Sequence, residues 1–205
     1  MHSGDVVLDV GCGAGEFSAA LLDAGAQPIA VDVAREALRR ARERVLDLGC
    51  GAGEFSAALV AAGAQPIAVD VAAEALRRAA ARVPDLDLRL WPAGEPLPLD
   101  DASVDVVWAG EVIEHVADVA PWLSEVRRVL RPRGTLLLTT PHHGPLTLLR
   151  LALSPRRFAA HFDPRSDHVR FFSPRTLRAL LHDLGFDVAQ LRVRRAKILV
   201  RAVRA

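Results

Sequence analysis

The sequence predicts an α/β fold: a three-layer sandwich built on a mostly parallel seven-stranded sheet, with an antiparallel strand near the C-terminus and a duplicated βαβα unit at the N-terminus. Three observations carry this. Short apolar runs alternate with segments of helical period along most of the chain. A glycine-rich loop, GCGAG, lies between the first apolar run and its helix. The last two apolar runs are joined by a short link, which predicts an antiparallel pair.

Each element has its own signal. Val45–Leu48 is a short apolar strand, Gly49–Gly53 a turn, and Glu54–Ala62 an Ala-rich helix that Gly63 ends. Pro66–Asp70 (PIAVD) reads as a buried strand and Ala72–Arg82 as a helix. Leu86–Leu90 is the third strand, and Val104–Trp108, after the turn LDDAS, is the fourth. Val119–Leu130 is a helix with Asp118 at its cap and Pro121 in its first turn; RPRG then breaks it. Thr135–Thr140 is the fifth strand. Pro141–Phe172 holds four histidines and few regular signals, as expected of a lid or substrate loop. Ser173–Leu184 is a helix with Ser173 as N-cap, Pro174 at the first position and Gly185 past the end. Phe186–Val193 and Lys197–Val203 close the sheet.

The N-terminal part repeats itself. Leu8–Val45 and Leu46–Val83 align without a gap and differ only at Val10/Leu48, Leu22/Val60, Asp23/Ala61, Arg35/Ala73, Arg42/Ala80 and Glu43/Ala81. Two near-identical copies fit a tandem duplication better than a solenoid, which needs about three or more repeats. The two cysteines, Cys12 and Cys50, occupy the same position in each copy, which argues against a disulfide framework. The expected division is 1–45 for the duplicated copy and 46–205 for the main domain, with 141–172 as the lid.

Composition narrows the class. The chain has 205 residues, 51% of them hydrophobic, and a formal net charge of +1. No apolar run approaches the roughly 18 residues of a membrane span. The opening MHSGDVV lacks the basic and apolar regions of a secretory signal. A cytoplasmic protein is the expectation. From Leu151 onward there are 12 Lys or Arg and four acidic residues. Such a face could suit an anionic substrate, a membrane surface or nucleic acid, although 25 Arg to one Lys also reflects genome composition.

The chemistry starts at the glycine loop. Strand, glycine turn and helix make an anion site. The loop reads D-x-G-x-G-x-G, with Asp47, Gly49, Gly51 and Gly53; Glu54 breaks the dinucleotide pattern and disfavours a nicotinamide oxidoreductase. A strand-end carboxylate with amides behind it suits an amino-acid-like ligand. Asp70, at the end of the next strand, can accept from both hydroxyls of a ribose. Amino acid plus ribose is the outline of S-adenosylmethionine (SAM).

VLDLGCGAG, IAVDVA, EPLPLDDASVDVVWAGEVIEHV and EVRRVLRPRGTLLLTTP together resemble a class I SAM-dependent methyltransferase over residues 45–140, and the likeness continues to the end of the chain. The resemblance implies a Rossmann-like fold. It implies that Asp47, Gly49, Gly51 and Gly53 hold the methionine part and Asp70 the ribose, with Cys50, Val71 and Gly110 beside them. Two departures stand out. The acid that many relatives aim at the adenine is replaced by Ala93 or Gly94, with Glu95 nearby, and P-G-G is replaced by Pro132-Arg133-Gly134.

A second constellation is Glu111-Val-Ile-Glu114-His115. If helical, its polar residues share one face at the carboxyl edge of the sheet. Two carboxylates and an imidazole can hold a hard divalent ion such as Mg2+. E-x-x-E-H resembles the metal motif of ubiquinone-biosynthesis O-methyltransferases and of small-RNA 3′-terminal 2′-O-methyltransferases; the resemblance implies Glu111, Glu114, His115 and His168, after Asp167, as ligands. The other reading is structural: the glutamates favour a helix N-terminus and His115 packs nearby. His142 and His143 follow the fifth strand, and either could act as a general base, as could His115 or His168. Phe158, Phe162, Phe171 and Phe172 could line a pocket or form the lid's own core.

The expected activity is methyl transfer to a small-molecule acceptor, at a hydroxyl oxygen. The alternatives are a non-catalytic SAM-binding relic of the duplication and an RNA 2′-O-methyltransferase, though no RNA-binding module motif is visible. One set of downstream strands serves two glycine loops. The second copy runs directly into the third strand, whereas use of the first would loop the second out at about 1–3 kcal/mol. The second copy is therefore expected to work, with the first appended or swapped into a neighbouring chain as a route to oligomers.

Overall fold

The computed structural model describes residues 44–205 apart from Ala62, Pro164 and Arg195, and also Val6–Val7 and Gln27–Pro28. The elements are β1 (Val45–Leu48), α1 (Glu54–Ala61), β2 (Ile67–Asp70), α2 (Ala73–Arg82), β3 (Asp87–Leu90), β4 (Val104–Gly110), α3 (Val119–Val129), β5 (Leu130–Pro141), α4 (Pro145–Ala152), α5 (Pro155–His161), α6 (Pro174–Asp183), β6 (Phe186–Arg194) and β7 (Lys197–Arg204). A short 3₁₀ turn covers Ile113–His115.

The seven strands form one sheet in the order β3-β2-β1-β4-β5-β7-β6. The first five run parallel, and β7 lies antiparallel between β5 and β6. Burial on both faces explains why β1, apart from Asp47, and most of β2 are apolar without alternation. On one face the main core joins Leu46, Leu48, Val107, Leu136 and Leu138 to α3 and α6. Helix α3 buries Val119, Trp122, Leu123 and Val126, a stripe of helical period. The opposite face carries a smaller core of Val45, Leu59, Val106 and Leu137, against which Phe55 and Trp108 pack. Helix α6 starts as its sequence demands. The Ser173 hydroxyl accepts from the Thr176 amide and the Thr176 hydroxyl accepts from the Ser173 amide, a capping box.

Four expectations are corrected. The RPRG segment does not precede the fifth strand; it is a bulge within it. Leu130 already pairs with Val104, Thr135 pairs with Val106, and Arg133 takes a left-handed φ of 65°. Asp118 precedes α3 but its side chain makes no capping bond. The 141–172 segment is not irregular, because it contains α4 and α5, each with proline in its first turn. Residues 111–115 do not form an α-helix, since Glu111 has a φ of 56° and only the last three enter the 3₁₀ turn.

Most of the first repeat lies outside the described residues. Val6–Val7 and Gln27–Pro28 pair in parallel, Val6 opposite Gln27, with the same offset along the chain as Leu46 opposite Ile67. The central sheet takes its first two strands from the second copy, with Val45, the last residue of the first, at the head of β1. Among the described residues, no helix is long and apolar enough to cross a membrane.

Candidate functional site

Because β1, β2, β4 and β5 are parallel, their carboxyl ends share one edge, and the loops that leave them converge there. The glycine loop leaves β1. The amides of Gly49 and Cys50 both donate to the Val69 carbonyl, at 2.8 and 3.0 Å. The Gly51 amide donates to Asp70 Oδ2 at 2.9 Å, and the Ala72 amide to Asp70 Oδ1 at 2.8 Å. Asp70 is thus fixed by both oxygens, and each oxygen keeps a lone pair for a further donor such as a ribose hydroxyl. With these bonds the amides of Gly49, Cys50 and Gly51 fix the shape of the loop against β2.

Two glycines are required by space. Gly49 has a φ of 75°, and a Cβ there would lie 2.5 Å from Val112 Cγ2. A Cβ at Gly53 would lie 3.0 Å from the Ala79 Cβ, so the loop seats directly on α2. Gly110, at the end of β4, is covered by the Trp108 ring, which stacks on Phe55 at 4.5 Å between centroids. Val71 follows Asp70 at the exposed mouth. The turn after β3, with Ala93, Gly94 and Glu95, is held by Trp91, whose indole donates to the Glu95 carbonyl at 2.6 Å.

Asp47 lies beneath this loop with 1% of its surface exposed. Burial pushes its carboxyl up to about 7, against the pull of hydrogen bonds from Ser56, whose hydroxyl donates to Oδ2 at 2.5 Å. A cation placed over the loop would draw that proton off. Burial, followed by Asp47 and Asp70, pushes the Cys50 thiol up to about 12, so Cys50 is a packing residue and not a nucleophile.

The second group leaves β4. Glu114 is buried, its Oε2 accepting from Thr140 Oγ1 at 3.0 Å while its Oε1 has no partner among the described residues. Burial, and next the charge of Glu111, raise its carboxyl above the usual range. His115 Nδ1 sits 3.0 Å from the Asp167 carbonyl, which fixes that nitrogen as the N–H and leaves Nε2 as base or ligand. The His115 and His168 rings meet edge to face at 4.8 Å. Ligand atoms of Glu114, His115 and His168 all lie within 4.8 Å of one another. Glu111 is not in this group. The left-handed turn carries it to Lys197 Nζ, 2.9 Å from Oε2, and to the Thr139 hydroxyl, 2.8 Å from Oε1.

The 141–172 segment is tied to the same place. The amides of Val169 and Arg170 both donate to the Glu114 carbonyl, at 2.9 and 3.0 Å. His142 pairs with Phe172 as an isolated bridge, and its Nδ1 has no partner among the described residues. His143 packs on His161 and Phe171, with ring centroids at 4.6 and 5.3 Å. Burial and the neighbouring imidazoles lower its pKa, so it is neutral at physiological pH. Thr139, Thr140, Lys197 and His161 complete the site without a sequence signal, except that TTP ends β5 at the carboxyl edge.

The comparisons agree with this geometry. The family model described as a methyltransferase domain matches residues 33–191, and a second one with the same description matches residues 7–45. A probable S-adenosylmethionine-dependent methyltransferase of Mycolicibacterium smegmatis is 44% identical over 92 residues, 45% of this chain and 32% of that protein. A ubiquinone biosynthesis O-methyltransferase of Bordetella bronchiseptica is 29% identical over 93% of this chain and 65% of its own. The chain therefore spans between a third and two thirds of the length of these curated relatives. The crystal structure of a SAM-dependent methyltransferase from Methanosarcina mazei shares the fold, with a TM-score of 0.65 at 24% identity over 83% of this chain and 96% of that one. A methyltransferase-domain match over most of the chain, a sheet ordered 3-2-1-4-5-7-6 and a glycine loop at its centre place this chain in the class I SAM-dependent methyltransferase family.

Proposed function

We propose that the chain transfers a methyl group from SAM to a hydroxyl oxygen of a small-molecule acceptor, using the second copy of the repeat. The loop Asp47–Gly53 holds the methionine end of the cofactor and Asp70 its ribose. The doubly anchored Asp70 and the proton-loaded Asp47 both gain from such a ligand, the first by its hydroxyls and the second by its positive charge. When bound, the cofactor supplies a methyl group carried on a sulfonium, so the protein's task is alignment and removal of one proton.

The observation that carries the oxygen acceptor is the position of His115. Its Nδ1–H is spoken for by the Asp167 carbonyl, so Nε2 is free to accept the acceptor's proton. The Glu114 carboxylate stands beside it to stabilise the resulting imidazolium. A second reading is a divalent ion on Glu114, His115 and His168, favoured by the buried, unpartnered Glu114 Oε1. In that case the ion would hold the acceptor oxygen and lower its pKa.

The test has two stages. Calorimetric titration with SAM is expected to show one site per chain; no binding refutes the proposal. Transfer of labelled methyl to a panel of hydroxyl, amine and thiol acceptors follows, with and without chelator. Hydroxyl acceptors are expected to be labelled, and loss of activity on chelation with recovery on added Mg2+ selects the metal reading. Binding without transfer to any acceptor would support the non-catalytic relic instead.

A further inference from the structure

One ion pair at the carboxyl edge has no part in the chemistry proposed above. Glu111 follows β4 and Lys197 begins β7; Nζ lies 2.9 Å from Oε2, and the two side chains are only 20% and 23% exposed. The chain has 25 arginines and one lysine, and the lysine is here. An ammonium suits the place. Glu111 Oε1 already accepts from the Thr139 hydroxyl at 2.8 Å, which leaves Oε2 for a cation. A point charge can use one oxygen, whereas the guanidinium fork is matched to two.

Both partners sit on unusual backbone. Among the described residues, five that are not glycine have a left-handed φ: Asp85, Ala102, Glu111, Arg133 and Ala196. Asp85, Ala102 and Arg133 lie at the amino edge of the sheet, before β3 and β4 and in the first part of β5. Glu111 and Ala196 lie at the carboxyl edge, with φ of 56° and 61°. Ala196 immediately precedes Lys197. Its carbonyl accepts from the His142 amide at 2.7 Å, which ties the β6–β7 hairpin to the end of β5. Left-handed backbone is unfavourable for a residue with a Cβ and persists only where its surroundings hold it. At Glu111 the amide donates to the Thr139 carbonyl at 3.0 Å, and the carboxylate is gripped by Thr139 and Lys197.

This turn stands between the two halves of the site. The next residue, Val112, packs against Gly49 in the cofactor loop, so closely that a Cβ on Gly49 would lie 2.5 Å from its Cγ2. Glu114 and His115 follow in the 3₁₀ turn. Relaxation of Glu111 to ordinary backbone would take Val112 away from Gly49 and turn the Glu114–His115 segment with it.

We infer that Lys197 is a positioning residue for methyl transfer. Its ammonium pins the Glu111 carboxylate, the pinned carboxylate holds the backbone of Glu111 left-handed, and that turn sets Val112 against the cofactor loop. Lys197 acts through Glu111 and not by contact with SAM. The inference rests on the reading of the glycine loop as the SAM site and is independent of the acceptor.

The test separates backbone from contact. Glycine adopts a left-handed φ without penalty, so Glu111→Gly keeps the turn and discards the clamp. Calorimetric titration with SAM compares the native chain with K197M, E111A, E111G and K197M/E111G. If the unclamped turn forms about a tenth of the time, affinity falls about tenfold in K197M and E111A. E111G and the double variant are expected to recover most of that loss. Equal losses in E111A and E111G would mean that the carboxylate works by touching the ligand, and native affinity in K197M would mean that the lysine holds nothing; either result overturns the inference. Hydrogen exchange of the ligand-free chain adds a readout that needs no cofactor. The amide at position 111 is expected to exchange about tenfold faster in K197M than in the native chain, and to slow again in K197M/E111G. Unchanged exchange in K197M overturns the inference as well. Failure of the native chain to bind SAM would refute the proposed function alone, since the exchange pattern then decides the clamp.

Discussion

Replacing Asp47 by asparagine probes the buried carboxyl directly. The amide has the same shape and its oxygen can still accept from Ser56, so the packing should survive. In the native chain, a carboxyl displaced from 3.8 to about 7 binds its proton more tightly by about 4 kcal/mol. Below about pH 4 the folded and unfolded chains both carry this proton, and the displacement has no effect. As pH rises, the unfolded chain ionises first, so folding loses stability until pH has passed about 7. Between about pH 5 and about pH 8.5 the loss from this group alone comes to about 3 kcal/mol. The amide of the Asp47→Asn variant cannot ionise, so that protein should lack the loss. Urea denaturation of both proteins at the two pH values measures the difference. The variant should gain about 3 kcal/mol over the native chain on going from the lower to the higher pH. If the gap between the two proteins stays constant with pH, the carboxyl is not proton-loaded and the argument fails. The variant should also bind SAM more weakly, because it has no negative charge to offer.

Other changes test the remaining links. Asp70→Ala should abolish measurable SAM binding by calorimetry while Asp32→Ala leaves it largely intact; the reverse would assign the site to the first copy. Gly49→Ala places a Cβ against Val112 in a left-handed backbone and should cost roughly 1–3 kcal/mol in denaturation; adding Val112→Ala should recover part of it. Ser173→Ala removes one half of a capping box and should cost about 1 kcal/mol, read by thermal melting. His115→Ala should slow methyl transfer roughly a hundredfold or more while SAM affinity stays unchanged; equal activity would remove His115 from the chemistry.

The central sheet is legible in the sequence because β1 and β2 are buried on both faces, so they appear as short apolar runs broken only by Asp47 and ended by Asp70, and their bounds agree to within a residue. Helix α6 is legible for a different reason: Ser173, Pro174 and Gly185 mark its ends chemically. The lid helices escape such a reading although they carry the same marks, Gly144-Pro145 and Ser154-Pro155. Apart from the buried Leu151, most of their described apolar residues face outward, so no buried stripe supports them. Glu111 is misplaced because face-sharing assumes helical backbone throughout, and its own left-handed φ breaks that assumption. Thr140 and Lys197 come from two antiparallel neighbours whose meeting with Glu114 and Glu111 depends on sheet register, which no local pattern encodes.

Glu114 touches two regions at once. Its carbonyl grips the amides of Val169 and Arg170, and its side chain borders His115 and His168. A single residue therefore joins the cover to the floor, so anything that immobilises its carboxylate also steadies the strap above. The two lid amides then become a gauge of occupancy: their hydrogen exchange should slow when the floor is filled, with no ligand contact to the strap itself.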